Sequence, residues 1–143
     1  MVPGISAAQG AAAALGGSLT HRDAARRLQF VTGHDRRGAL PDDLNWGALA
    51  DPSVTTVVYM PKRTLRALLA RAVAEGLAPA TPALLVFNAT RPNQTALRGT
   101  AADLADRGEA AGLDGPALLM VGEALAEMRS AAGIEGAPSR VAV

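Results

Sequence analysis

The sequence contains no cysteine. That excludes a disulfide framework, a thiolate nucleophile and a zinc–cysteine site, and it fits a cytoplasmic location. Aromatic residues are scarce, with one Trp, one Tyr and two Phe in 143 residues, which argues against a platform for stacking bases. Neither sign of charge dominates. Fourteen Lys and Arg against 13 Asp and Glu give a net charge of +1, so there is no basic footprint for nucleic acid. Long apolar runs are missing too. The stretch from Ile5 to Leu15 is broken by Ser6, Gln9 and Gly10 and is too short to span a bilayer. No basic segment precedes it, as a secretory signal would require. Without such a signal, the Asn-X-Thr triplets at Asn88 and Asn93 read as coincidence. Neither nucleic acid nor a membrane is expected as a partner.

What is present is enough for one domain with a packed core. Small residues over 6–15 predict a helix, closed by Gly16-Gly17. Asp23 is placed to cap a short helical turn. Residues 28–32 predict a first strand stopped by Gly33, and 35–43 a charged loop. A short helix is expected over 44–50, anchored by Trp46. The β-branched run 54–60 predicts a strand, ended by Pro61, which can open the next helix. Leu65, Leu68, Leu69, Ala72 and Val73 share one face at helical spacing. The continuous apolar run 83–87 predicts a strand covered on both faces. A hairpin through Arg91-Pro92-Asn93 leads to a strand over 94–98, and a helix from Thr100 or Ala101 runs to about 111. Residues 117–121 predict the last strand, 123–132 a helix, and 133–143, with Gly, Pro and Ser, a mobile tail. The expectation is an α/β domain over 1–132 with a mixed sheet of about five strands flanked by helices.

Ligands of open α/β sheets gather beyond the carboxyl ends of strands. Three turns there carry small residues: Tyr59-Met60-Pro61, Asn88-Ala89-Thr90 and Pro3-Gly4-Ile5-Ser6-Ala7. Small side chains let a ligand approach backbone, and one soft methionine suits a flat ring or a thioether. Each is equally an ordinary turn. His21 and His34 stand as loop or cap residues, since two histidines with scattered aspartates give no zinc spacing. Ser18, His21 and Asp23 lie too close in sequence for a triad, and Gly16-Gly17 lacks the Lys-Ser/Thr ending of a phosphate loop. Lys62, Arg63 and Arg66 crowd the start of a helix against its dipole; they form either a solvated face or a receiver for an acidic substrate.

The order of motifs is more specific than any one of them. Val2-Pro3-Gly4-Ile5-Ser6-Ala7, Leu19-Thr20-His21-Arg22-Asp23, Phe30-Val31-Thr32-Gly33-His34, Val58-Tyr59-Met60, Asn88-Ala89-Thr90, Arg98-Gly99-Thr100, Pro116-Ala117-Leu118 and Val121-Gly122-Glu123 follow one another. Over residues 2–129 this run resembles the C-terminal domain of the tetrapyrrole methylase family, in the branch that methylates uroporphyrinogen III. The resemblance implies a homodimeric two-domain enzyme with S-adenosylmethionine as methyl donor in the interdomain cleft, making precorrin-2 for sirohaem and cobalamin. By that resemblance Ser6, Ala7, Met60, Ala89 and Ala117 bind the cofactor, and Thr20, His21 and Arg22 face the tetrapyrrole substrate. Ser6 stands where the family often has Thr, which keeps the hydroxyl.

Only Met1 precedes the turn motif that begins at Val2, and the residues that the family uses for proton transfer lie in an N-terminal domain not found in this sequence. The expectation is therefore half of a methyltransferase, inactive alone, with that missing domain as its partner and with no catalytic base assigned here. A non-catalytic binding or dimerisation module of the same fold, or a methylase of another tetrapyrrole such as a precorrin, are the competing readings.

Overall fold

The computed structural model describes residues 1–128. The elements run α1 (Ala7–Ala14), β1 (Arg27–Thr32), α2 (Trp46–Ala50), β2 (Val54–Tyr59), α3 (Leu65–Ala74), β3 (Pro82–Phe87), β4 (Thr95–Thr100), α4 (Leu104–Ala111) and β5 (Ala117–Val121), then a 3-10 turn at Glu123–Glu127. The strands form one sheet in the order β1-β2-β5-β3-β4. β1 and β2 are parallel, while β5 is antiparallel to both β2 and β3, and β4 to β3. The mixed five-stranded α/β sheet is as expected.

This topology fixes where a ligand can sit. β5 lies between β2 and β3 and opposes both, so the carboxyl ends of β1, β2 and β3 share one edge with the start of β5. The register confirms it: Thr32 pairs Tyr59, Tyr59 pairs Leu118, and Phe87 pairs Ala117.

Successive strand residues alternate between two apolar layers. One face carries Val58, Leu85, Phe87, Leu119 and Val121 against α3 and α4, through Leu65, Leu68, Leu69 and Leu104. The other carries Val57, Leu84, Val86, Leu118 and Met120 against Ala8, Ala11 and Ala12 of α1, with Leu125 and Met128. β2, β3 and β5 are therefore buried on both sides, which explains their unbroken apolar runs. α1 is built from Ala, Gly and one Gln, so its backbone comes close to the sheet.

Some boundaries differ from expectation. α4 starts at Leu104, not at Thr100 or Ala101. The amides of Ala101 and Ala102 are already committed to the carbonyls of Thr81 (2.9 Å) and Pro79 (3.1 Å), and β4 continues to Thr100. Pro61 does not open α3; its carbonyl accepts from the Thr64 amide at 2.9 Å, closing a turn before Leu65. Asp23 caps nothing. The His21 Nδ1 instead accepts from the amides of Asp23 (3.2 Å) and Ala24 (3.3 Å), and His21 bridges Ala25. Within the helix expected over 123–132, Glu123–Glu127 form a 3-10 turn; the carbonyls of Leu125 and Met128 accept from Arg98 Nη2 at 2.7 and 2.8 Å. The rest of that helix and the tail over 133–143 lie outside the described residues. Among the described residues no helix is long and apolar enough to cross a membrane.

Candidate functional site

A cavity of about 390 Å³ opens at the shared strand edge, within the size range of small-molecule sites. Val86 and Leu118 form its floor, and Ala7 lines it from α1. Met60 lines it from the end of β2, Ala89 from the turn after β3, and Pro116 and Ala117 from the start of β5. Four of the five expected cofactor-binding residues thus meet in one place: Ala7, Met60, Ala89 and Ala117. Ser6 adjoins it. It is the N-cap residue of α1 without a capping side-chain bond, and its Oγ accepts from the hydroxyl of the cavity-lining Tyr59 at 3.1 Å. Thr20, His21 and Arg22 do not line this cavity; they lie in the turn region that precedes β1.

Backbone strain concentrates here. Three non-glycine residues have positive φ among the described residues: Met60 at 54°, Asn88 at 51° and Thr90 at 65°. For a β-branched threonine this conformation is a true outlier. Such strain persists only where the surroundings over-determine it, and it clusters at ligand sites. The surroundings do so. The Asn88 amide donates to Pro116 O at 2.9 Å and its Nδ2 to Asp114 O at 3.3 Å. The Thr90 amide donates to Oε1 of the buried Gln94 at 2.6 Å. Gly10 of α1 sits directly against the Thr90 methyl, with no room for a Cβ. Asn88 and Ala89 of this turn line the cavity.

The electrostatics are one-sided. Lys62, Arg63, Arg91 and His34 line the cavity, and no carboxylate does. Lys62 pairs with Asp114 just outside it. That ammonium, followed by the Gly115 amide, holds the Asp114 carboxyl below its ordinary range. Arg63 and Arg91 make no ion pair among the described residues, so the rim can receive a carboxylate. Arg66 belongs elsewhere. Its pKa is pushed up by Glu109 and then Asp106, both of which it binds across α3 and α4.

A second cavity of about 520 Å³ between α3 and α4 shares Lys62, Arg63 and Ala117. It is lined by Glu109 and Asp114 and by none of the strained residues.

Tyr59, His34, Arg91, Asn88 and Gly115 went unassigned in the sequence, although they line the first cavity. The Asp114-Gly115-Pro116 run before an apolar strand is a strong turn signal and could have marked Gly115. Tyr59 and Asn88 stand in two of the candidate ligand turns, whereas His34 and Arg91 carry no local signal of a shared site.

Three comparisons bear on this site. The family of Tetrapyrrole (Corrin/Porphyrin) Methylases matches residues 1–105. A siroheme synthase of Gluconacetobacter diazotrophicus is 47% identical over 124 residues, covering 86% of this chain and 26% of that protein. A uroporphyrinogen-III C-methyltransferase of Sinorhizobium sp. is 40% identical over 123 residues, covering 86% of this chain and 44% of that protein. Among solved structures, a uroporphyrin-III C-methyltransferase of Thermus thermophilus complexed with S-adenosyl homocysteine superposes with a TM-score of 0.72 at 25% identity. The match covers 88% of this chain and 53% of that one. A cobalt precorrin-4 methyltransferase of cobalamin biosynthesis gives a TM-score of 0.75 at 27% identity, covering 87% and 52%. The chain thus spans about half of these solved chains and less than half of the two curated relatives. With a family match over most of its length and a sheet that superposes on these enzymes, the chain belongs to the tetrapyrrole methylase family.

Proposed function

We propose that this chain supplies one wall of the cofactor cleft of an S-adenosylmethionine-dependent uroporphyrinogen-III C-methyltransferase that makes precorrin-2. The observation that carries this reading is the convergence of Ala7, Met60, Ala89 and Ala117 on one cavity at the strand edge. The donor set suits the cofactor. Small side chains leave backbone groups accessible to an adenine edge, Met60 offers a polarisable surface to a thioether, and the arginine rim suits a carboxylate. S-adenosylmethionine, when bound, supplies a methyl group on a sulfonium.

The contribution of the chain is positioning. Methyl transfer to a pyrrole carbon needs an in-line approach, and holding reactants in register is worth several orders of magnitude in rate. Met60, Asn88 and Thr90, locked in strained conformations, hold one side of the site rigid. Ser6, with its Tyr59 contact, orients the first turn of α1 beside it. Thr20, His21 and Arg22 face the tetrapyrrole in this reading, outside the cofactor cavity. No catalytic base is assigned to this chain; in this reading the complementary domain supplies the group that takes the proton leaving the pyrrole.

Met60 is 52% exposed, and Val2, Ile5 and Phe30 are exposed as well. Their exposure supports a complementary domain and a homodimer partner covering this surface. The cysteine-free sequence is in keeping with cytoplasmic action. With one wall of the cleft only, the chain by itself should bind S-adenosylmethionine weakly. Micromolar affinity in calorimetry on the chain alone would contradict this.

The decisive experiment combines the chain with the N-terminal domain of its family and supplies S-adenosylmethionine and uroporphyrinogen III. Methylated product is expected. No product, while a complete relative is active under the same conditions, rejects the reading. The likeness to a cobalt precorrin-4 methyltransferase supports a precorrin acceptor as the second reading. Turnover of precorrins in place of uroporphyrinogen III would select it.

A further inference from the structure

Three consecutive carbonyls leave the sheet at the end of β2, and each meets a donor. Tyr59 O accepts from the Gly33 amide at 2.7 Å, and Pro61 O from the Thr64 amide at 2.9 Å. Between them, Met60 O lies 3.0 Å from Nδ1 of His34. Backbone amides serve the outer two, with the Thr64 hydroxyl also 3.3 Å from Pro61 O, but the partner of Met60 O is a side-chain ring nitrogen. Met60 is also the residue with φ 54°, and both it and His34 line the cavity.

The turn that carries His34 is anchored on both sides. Thr64 Oγ1 donates to Gly33 O. A Cβ added to Gly33 would lie 2.9 Å from the Pro61 Cα and 3.1 Å from Tyr59 O, so the two turns cross at backbone contact. His34 is thereby delivered to the Met60 carbonyl. A carbonyl oxygen only accepts, so this contact is a hydrogen bond only if Nδ1 carries the hydrogen.

We infer that His34 is a positioning residue: its Nδ1–H donates to the Met60 carbonyl and holds Met60 left-handed, which sets the thioether on the cavity wall. The bond itself stands on the geometry of this chain. Its effect on binding rests on the proposed S-adenosylmethionine site.

Two measurements test the bond and its effect separately. The chain has only two histidines, so long-range nitrogen–proton NMR on the chain can assign the tautomer of the neutral His34 ring. The Nδ1–H tautomer is expected; an Nε2–H tautomer overturns the inference. The second measurement is calorimetry with S-adenosylhomocysteine on the chain combined with its complementary domain. His34→Ala should weaken binding roughly three- to tenfold, as expected for loss of one partly exposed hydrogen bond. His34→Asn should restore most of the affinity, since its amide nitrogen takes the place of Nδ1. His34→Gln, which places its amide near Nε2, should not. A merely structural role would leave the Asn and Gln variants alike. Wild-type affinity in His34→Ala, or equal rescue by Gln, overturns the inference. If the wild-type assembly fails to bind S-adenosylhomocysteine, the methyltransferase reading fails instead, and the tautomer still decides the His34–Met60 bond.

Discussion

Alanine at Gly115 should cost more than alanine at Gly112, and the difference measures how tightly the Asn88 turn is held. Both glycines are left-handed, with φ 112° at Gly115 and 58° at Gly112. A Cβ on Gly112 meets nothing within 4 Å, whereas one on Gly115 falls 2.5 Å from Asn88 Oδ1 and 3.0 Å from its Cγ and Nδ2. Gly112→Ala therefore costs only conformational strain, about 1–2 kcal/mol. Gly115→Ala pays strain of about 1–3 kcal/mol. It also displaces a buried amide that donates to Asp114 O, losing about 0.5–1.5 kcal/mol more. The expected total is about 2–4 kcal/mol for Gly115→Ala, which exceeds that of Gly112→Ala by about 1–2 kcal/mol. Urea denaturation of the chain, followed by circular dichroism, reads this directly. With a slope of about 1–3 kcal/mol per molar urea, the Gly115→Ala midpoint should fall by about 1–2 M, and that of Gly112→Ala by about half as much. Adding Asn88→Gly to Gly115→Ala should recover part of the loss, because glycine accepts φ 51° and removes the obstructing amide. A Gly115→Ala midpoint at or above that of Gly112→Ala would refute the steric account of this turn.

Two other outcomes follow from the same structure. Gly10→Ala improves helix propensity by about 1 kcal/mol but drives a Cβ into the Thr90 methyl; it should destabilise the chain in the wild-type background and stabilise it with Thr90→Ser, and equal signs in both backgrounds would sink the contact. Acidification should unfold the chain through its carboxylates: Asp103 is held below its ordinary value of 3.8 by the Thr100 amide and then by Arg107, and Asp51 is lowered chiefly by Ser53. A depressed folded pKa contributes stability above the unfolded value and loses it as pH falls through the folded one, so the urea midpoint should decline below about pH 4. Asp103→Asn should flatten part of that decline, and an unchanged profile would count against it.

Much of the fold was legible because the signals were local. The run 83–87 reads as a strand buried on both faces, since no amphipathic alternation interrupts it, and 117–121 reads as the last strand. The periodic leucines of 65–73 had to be a helix with one apolar face. Boundaries were misread where a distant partner intervened. Ala101 and Ala102 donate to the distant carbonyls of Thr81 and Pro79 in a turn ahead of α4; closer in sequence, the imidazole of His21 takes the place expected of Asp23.

The site divides the same way. The sequence alone determined its chemical character: no thiol, few aromatics, small turn residues after apolar strands, and a soft methionine among them. Local composition and spacing suffice for that. Only the tertiary structure decided which of these residues meet. Inserting β5 antiparallel between β2 and β3 brings Ala117 beside Met60 and Ala89, although 57 and 28 positions of sequence numbering separate them. It leaves Thr20, His21 and Arg22 outside that cavity. Strand order is a consequence of packing the whole sheet, and the left-handed backbone of Met60, Asn88 and Thr90 persists because contacts with His34, Pro116 and Gly10 join the local Thr90–Gln94 bond in over-determining it.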